Sequence, residues 1–222
     1  MNLEAVIFDL DGTLIDSMGV WSDVDREFLK KRGIELPDNL FSDMKSGNSF
    51  EEVALYFKNR FSLKETIKEI MTEWIEMVEE HYATKVLLKK GVRELIDLLK
   101  RNNIKIGIGT SNSYYLAEVA LKANDIMGQF DTLVCGAEEI KGKPFPDIFL
   151  QVADNLDVSP ENCIVIEDVL EGVEAAKKAD MFVIAIYDRW AKNKKEIKEK
   201  SDLFADNFNQ IIDFFSDKKF NL

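Results

Sequence analysis

The sequence predicts an α/β protein built on a doubly wound parallel sheet, with a helical segment inserted after the first strand. Two observations carry this prediction. Short apolar runs alternate with amphipathic stretches from residue 89 to 215, a pattern typical of successive strand–helix–strand units. Residues 16–85 break this alternation and show only helical periodicity.

The short apolar runs indicate buried parallel strands, because strands covered on both faces are apolar throughout. Five such runs are present: Ala5–Phe8, Ile104–Ile108, Thr132–Val134, Ile164–Ile166 and Phe182–Ile186. Amphipathic stretches separate the later runs, and Leu95, Ile96 and Leu99, for example, share one helical face. We therefore expect a Rossmann-like α/β core formed by residues 1–15 and 86–222.

The segment of residues 16–85 is predicted to form a helical cap between the first two strands. Its apolar residues recur at helical spacing in two sets: Phe50, Val53, Ala54 and Phe57, then Leu63, Ile67, Ile70, Met71 and Trp74. Two Ser–Glu pairs, Ser49 with Glu52 and Ser62 with Glu65, predict capping boxes at helix starts. A first helix is expected over about residues 17–32, before Pro37.

Composition and charge argue against a nucleic-acid partner and a membrane-spanning segment. The 222 residues are 46% hydrophobic and carry a net charge of −12, whereas a nucleic-acid partner would require clustered Lys and Arg. The dense basic run Lys192–Lys200 is interleaved with acids, which predicts a solvated helix face. No apolar run approaches the ~20 residues of a membrane span, and the start of the chain has no signal-peptide pattern.

The two cysteines, Cys135 and Cys163, lie apart within apolar segments, which predicts buried thiols without a disulfide. Together with the net charge and the lack of a membrane-spanning run, the unpaired cysteines indicate that the protein resides in a reducing compartment. We expect a cytoplasmic monomer that has neither a nucleic-acid nor a membrane partner.

The most informative segment follows the first predicted strand. Asp9 and Asp11 come directly after a run of four apolar residues, and Gly12 permits a sharp turn there. Ligands bind at the carboxyl ends of strands in an open parallel sheet. Two carboxylates at such a position can divide the work of nucleophile or metal ligand and of general acid–base. Helix capping is the ordinary alternative for each carboxylate.

Three further strand ends carry polar residues. The second strand ends in Gly109-Thr110-Ser111-Asn112, whose hydroxyls and N–H groups suit a phosphate. Lys143 follows the third strand, and Pro144 biases it to an extended conformation. Glu167 and Asp168 follow the fourth, again after an apolar run. Four such ends on one sheet indicate a common site.

These motifs together resemble the haloacid dehalogenase superfamily of phosphohydrolases. The segments Lys143–Asp147 and Cys163–Asp168 resemble its β-phosphoglucomutase-like branch, as does the helical insertion, which is similar to that branch's cap. The resemblance extends from Ala5 to Asp206. Val169 and Asp180 depart from it, because many relatives have a small hydroxyl residue and a glycine there.

The resemblance implies a mechanism through a covalent aspartyl-phosphate. Asp9 would attack phosphorus, and Asp11 would protonate the leaving oxygen and then deprotonate the hydrolytic water. Mg²⁺ would be bound by the carboxylates of Asp9 and Asp168 and the carbonyl of Asp11, with Glu167 assisting. Such an oxygen-only set suits this hard cation.

The resemblance also implies the residues that bind the phosphoryl group, namely Thr110, Ser111 and Lys143. Asn112 and Trp21 are candidate substrate contacts at the edge of this site. The expected partner is a small phosphorylated metabolite, a sugar or polyol phosphate.

Three functions remain open: a phosphatase, an intramolecular sugar phosphomutase of the β-phosphoglucomutase type, and a non-catalytic metabolite-binding relative. The presence of every catalytic residue type argues against the third. The mutases that this chain resembles have a histidine where Trp21 stands and an arginine in the segment matching Met44–Glu51, where Lys45 is the only cation. We therefore expect hydrolysis.

Overall fold

The chain folds into two compact units. The computed structural model describes residues 2–40, 50–136 and 140–217, apart from the side chains of Phe50 and Asp217. One unit, the core unit, comprises Met1–Met18 and Val86–Leu222, and the other, the cap unit, comprises Gly19–Lys85.

The core unit is organised around a parallel sheet. Within the described residues its strands are Ala5–Phe8 (β1), Lys105–Thr110 (β2), Thr132–Cys135 (β3), Cys163–Glu167 (β4), Phe182–Ile186 (β5) and Leu203–Ala205 (β6). Their order is β3-β2-β1-β4-β5-β6, so the sheet grows outward in both directions from the β1–β4 pair. A crevice for ligands opens at the carboxyl ends of the strands at such a switch point. The predicted doubly wound, Rossmann-like sheet is confirmed.

The strand register places the predicted site residues at one level. β1 aligns Phe8 with Ile108 of β2 and with Ile166 of β4. Asp9 therefore leaves the sheet beside Gly109 and Glu167, and its N–H donates to the carbonyl of Ile166 at 3.0 Å. The ends of β1, β2 and β4 thus lie next to one another at the switch point, and the polar residues that follow these strands lie there too.

Helices cover both faces of the sheet and form the cap unit. In chain order the described helices are Val20–Lys31 (α1), Phe50–Arg60 (α2), Ile67–Thr84 (α3), Val92–Arg101 (α4), Tyr114–Ala123 (α5), Asp147–Asn155 (α6), Leu170–Lys178 (α7), Lys194–Lys200 (α8) and Phe208–Asp217 (α9). α6 and α7 pack together against the central strands, whereas α4 packs on β2 and also contacts α9. In the described part of the chain, no helix has both the length and the hydropathy of a bilayer span.

β6 and β2 differ most from the sequence prediction. β6 was not predicted, because it has three residues and only Ala205 is fully buried, so it shows no apolar run. β2 extends to Thr110 through two glycines, and at Gly107 a Cβ atom would lie 2.6 Å from Val152 Cγ1. The glycines allow α6 to approach the strand closely.

The cap unit has its own aromatic core. The rings of Phe28, Phe57 and Trp74 come from the three helices that the structure describes in this unit, and they meet edge to face at centroid distances of 4.8–6.2 Å. Arg32 lies over the Phe28 ring and donates to the carboxylates of Glu65 and Glu73. Aromatic edge contacts and a shared guanidinium therefore join the helices of this unit.

One predicted capping box is wrong and the other cannot be compared. Ser62 has a left-handed φ of 50° and does not begin a helix, since Glu65 is bound to Arg32. The capping box is formed by Thr66 and Glu69, one turn later, at the start of α3. Ser49 lies outside the described residues. α1 begins at Val20, three residues after the predicted start.

The chain leaves the core unit and returns to it at adjacent positions. The N–H of Asp16 donates to the carbonyl of Leu87 at 3.0 Å, and the N–H of Lys89 donates to the carbonyl of Leu14 at 2.9 Å. Ile15 forms a bridge with Leu88 between them. These bonds tie the loop after β1 to the segment that precedes α4.

Candidate active site

The loop after β1 folds tightly over the end of β4. The carbonyl of Leu10 accepts hydrogen bonds from the N–H groups of Leu14 and Ile15. Gly12 has a φ of +83°, and a Cβ atom there would overlap with the carboxylate of Asp168. Glycine is therefore required by both its backbone conformation and the close approach.

Asp9 forms a buried ion pair at the centre of the site. Lys143 Nζ lies 2.5 Å from Asp9 Oδ1 and 2.6 Å from Glu167 Oε1. Burial raises the pKa of Asp9 to about 7, opposed by the Lys143 charge and reinforced by Glu167. Although burial acts to lower the pKa of Lys143, the two carboxylates raise it above its usual value. Lys143 is therefore a fixed cation beside the predicted nucleophile.

Both carboxylate oxygens of Glu167 accept hydrogen bonds. Its Oε1 binds Lys143, and its Oε2 accepts the N–H groups of Asp168 at 2.5 Å and Val169 at 2.8 Å. A Cβ atom at Gly172 would overlap with this carboxylate, so the first turn of α7 packs directly on it. Both oxygens of Glu167 therefore hold other groups in place, namely the ammonium of Lys143 and the start of α7.

Asp168 has one oxygen engaged and one free of hydrogen bonds. Thr13 Oγ1 donates to Asp168 Oδ1 at 2.9 Å, whereas the buried Oδ2 has no hydrogen-bond partner. Burial, with the charges of Glu167 and Asp9, raises the pKa of Asp168 well above its usual value. An orphaned buried carboxylate oxygen is costly unless a cation binds it.

The acidic cluster fits a hard divalent cation. Asp9, Glu167 and Asp168 each place a carboxylate oxygen within 4.8 Å of the others. All are oxygen donors, and Asp168 Oδ2 supplies an uncommitted one. The donor set therefore suits Mg²⁺ better than a thiolate- or imidazole-preferring metal.

Asp11 is fixed by two donors at the mouth of the site. Ser17 Oγ donates to Asp11 Oδ1 at 2.6 Å, and Asn112 Nδ2 donates to Asp11 Oδ2 at 2.8 Å. The Asn112 bond links the end of β2 to the loop after β1. Ser17 was not predicted, because a lone serine beyond the strand gives no pattern that distinguishes it from an ordinary loop residue.

The remaining predicted residues lie at different positions. Thr110 is buried at the end of β2, and its Oγ1 accepts the N–H of Asn112 at 3.1 Å. Ser111 is exposed next to it. Trp21 lies on α1, in the cap unit, with 44% of its surface exposed. Every predicted site residue except Trp21 thus belongs to the core unit.

A second buried ion pair lies at the same edge of the sheet and was not predicted. Lys89 Nζ lies 2.7 Å from Asp188 Oδ2, with 16% and 3% of the two side chains exposed. Asp188 comes two residues after the end of the apolar strand β5, whereas Asp9 directly follows β1. The same criterion, an acid after an apolar run, could have identified Asp188. Lys89 gives no comparable signal.

Comparisons with known proteins show what this chain is similar to. The chain matches the family described as haloacid dehalogenase-like hydrolase over residues 6–186. Hexitol phosphatase B of Escherichia coli (strain K12) is 31% identical over 193 residues, covering 82% of this chain and 82% of that protein. The beta-phosphoglucomutase of Bacillus subtilis (strain 168) is 31% identical over 204 residues, covering 83% of each. A solved structure from Thermotoga maritima, provisionally described as a beta-phosphoglucomutase, has a TM-score of 0.87 and 26% identity over 97% of this chain and 99% of that chain.

Proposed function

The chain belongs to the haloacid dehalogenase-like hydrolase family and is a phosphatase, and we propose that it is Mg²⁺-dependent and acts through an aspartyl-phosphate. The proposed substrate is a small phosphate monoester, a sugar or polyol phosphate. One observation carries the proposal: the buried carboxylate of Asp9 lies at the switch point of the sheet, 2.5 Å from the ammonium of Lys143.

In the first half of the reaction, a carboxylate oxygen of Asp9 attacks phosphorus and the ester P–O bond breaks. Asp11 gives its proton to the departing alkoxide oxygen, which leaves as an alcohol. Lys143 stabilises the negative charge on the phosphoryl oxygens, together with Thr110 and the N–H of Ser111. Since Lys143 is held by two carboxylates, it needs little reorganisation to act.

In the second half, Asp11 accepts a proton from water as the water oxygen attacks phosphorus. The bond between phosphorus and Asp9 breaks, and inorganic phosphate leaves. Both oxygens of Asp11 accept hydrogen bonds, from Ser17 and Asn112, and these bonds hold the carboxylate in one orientation in the loop after β1.

The residues that would hold Mg²⁺ are Asp9 and Asp168 through their carboxylates and Asp11 through its carbonyl. When bound, Mg²⁺ supplies positive charge that offsets the repulsion between an anionic nucleophile and a phosphate. The uncommitted Oδ2 of Asp168 supports this assignment.

The nucleophile is tested by trapping the intermediate. Phosphate release from a panel of sugar and polyol phosphates identifies a substrate, and acid quenching during turnover followed by borohydride reduction marks the phosphorylated aspartate. We expect the mark on Asp9, and we expect Asp9→Asn to lower kcat by at least about three orders of magnitude. Asp16→Asn, which alters an exposed carboxylate of the same loop, is the matched control. A mark on another residue would exclude Asp9 as the nucleophile.

One observation supports the phosphomutase alternative, namely the 31% identity to the beta-phosphoglucomutase of Bacillus subtilis. Trp21 in place of the expected histidine argues against it, and so does the lack of an arginine in the sequence of Met44–Glu51. The structure does not describe residues 44–49. The deciding assay supplies β-glucose 1-phosphate with a trace of the 1,6-bisphosphate and measures both products. We expect free phosphate, whereas rapid formation of glucose 6-phosphate would establish the mutase.

A further inference from the structure

Asp168 offers a buried oxygen without a hydrogen bond although a lysine is fixed at the same edge of the sheet. Oδ2 of Asp168 has no hydrogen-bond partner, and the backbone of Lys89 is bound to the loop that donates to the other oxygen of this carboxylate. An ammonium group near an orphaned buried carboxylate would ordinarily form an ion pair with it. In this protein, Lys89 is bound to Asp188 instead.

The backbone places Lys89 and Asp188 beside Asp168. The N–H of Lys89 donates to the carbonyl of Leu14. Thr13, the residue before Leu14, donates through its hydroxyl to Asp168. Asp188 follows β5, which pairs with β4, and the register sets Ala185 beside Glu167. Asp188 and Asp168 therefore leave neighbouring strands at the same edge of the sheet.

Asp188 is itself firmly fixed. Its Oδ1 accepts the N–H of Trp190 at 2.7 Å, which turns the chain back after β5, and its Oδ2 accepts Lys89 Nζ at 2.7 Å. With 3% of the side chain exposed, Asp188 has no water shell to compete for the lysine. The carboxylate is thus a rigid receptor for the ammonium group of Lys89.

We propose that Asp188 is a positioning residue, which holds Lys89 away from Asp168 and so keeps the Oδ2 of Asp168 available to a divalent cation. This inference rests on the metal site of the proposed function. An ammonium ion and Mg²⁺ compete for the same oxygen, and a lysine paired with Asp168 would have to be displaced before the metal could bind. Groups that orient metal ligands without touching the metal commonly change metal affinity by about 10–100-fold.

The test measures Mg²⁺ binding directly, by isothermal titration of the substrate-free protein. Asp188→Asn keeps the acceptor for the Trp190 N–H but releases Lys89, and we expect the Mg²⁺ dissociation constant to rise by about ten-fold or more. The double variant Asp188→Asn with Lys89→Met removes the competing cation, and we expect recovery to within about two-fold of the wild type. If Asp188→Asn does not fold, Asp188→Ser, whose hydroxyl can accept the same N–H, carries the same expectation.

Asp202→Asn is the matched control, because it breaks a Lys–Asp pair with Lys177 beside the start of β5, away from the carboxyl ends of the strands. Its Mg²⁺ affinity should equal that of the wild type. Unchanged affinity in folded Asp188→Asn would overturn the inference, as would weakened affinity that the double variant does not recover. If the wild type binds no divalent cation, the proposed metal site itself fails, and this inference fails with it.

Discussion

At the scale of single residues, the site depends on how each carboxylate is occupied. Glu167 has both oxygens engaged, by Lys143 and by two backbone N–H groups. Asp168 has one oxygen engaged and one without a hydrogen bond. Two adjacent acids of similar chemistry are therefore suited to different tasks, one to orient a lysine and the other to bind a metal.

This difference predicts that Glu167→Gln separates turnover from metal binding. An amide cannot accept from Lys143 and from both N–H groups, so the lysine loses its orientation. We expect kcat to fall by about 100-fold and the Mg²⁺ dissociation constant to change by no more than about three-fold, since Asp168 still binds the metal. Steady-state kinetics and Mg²⁺ titration give the two quantities.

Two comparison variants interpret that result. Asp168→Asn should weaken Mg²⁺ binding strongly, and Glu171→Gln, at an exposed position in the first turn of α7, should change neither quantity. Weak Mg²⁺ binding with normal kcat at saturating metal in Glu167→Gln would make Glu167 a metal ligand instead.

The sequence predicted the acids of this site, with Lys143 and Asn112, but it did not predict Ser17, Lys89 or Asp188. An acid after an apolar strand is visible in the sequence, which identified Asp9, Glu167 and Asp168. A hydrogen bond between Ser17 and Asp11, or an ion pair between Lys89 and Asp188, depends on how loops meet across the sheet edge. Such loop contacts leave no periodic pattern to read.

At the scale of secondary-structure elements, the start of α3 shows how local signals compete. Both Ser62–Glu65 and Thr66–Glu69 fit the capping-box pattern. Tertiary contact decides between them: Arg32 takes the carboxylate of Glu65, and Lys58 donates to the carbonyls of Leu63 and Glu65. The connection is thereby held as a loop, and the helix begins after Thr66.

We predict that Thr66→Ala destabilises the protein by about 1 kcal/mol, because the N–H of Glu69 loses its acceptor. Ser62→Gly should be neutral or stabilising, since glycine adopts the left-handed conformation of residue 62 without strain. Urea unfolding of both variants measures the difference. Greater destabilisation by Ser62→Gly than by Thr66→Ala would contradict this assignment of the cap.

The sheet as an element was largely predictable because its central strands are continuously apolar. β1, β4 and β5 are buried nearly throughout, and their predicted bounds differ from the observed ones by at most one residue. β6, at the sheet edge, is short and half-buried, so its sequence resembles a loop.

At the scale of the whole molecule, a buried acid makes folding stability depend on pH. Burial raises the pKa of Asp25, on α1, from 3.8 to about 7. Between these values the folded protein binds a proton that the unfolded chain releases. Stability therefore falls as pH rises through this range and stays reduced above it.

Asp25→Asn should remove this penalty. We expect the variant to be more stable than the wild type, with an advantage that grows by about 2 kcal/mol between about pH 5.5 and about pH 8. Urea unfolding at the two pH values measures it, and Asp23→Asn, at a largely exposed position of the same helix, is the control. An advantage independent of pH would show that Asp25 is ionised throughout.

The paired segments around Ile15 and Leu88 have a consequence for how such enzymes diversify. The segments through which the chain leaves the core unit and returns to it are hydrogen-bonded to each other. A sequence inserted between them therefore leaves the path of the chain through the core unit unchanged. The entropy of closing a loop there grows only slowly with its length. The core unit can therefore accept inserted units of different size and origin at this junction, so that selectivity can evolve by exchanging the insertion while the chemistry stays the same.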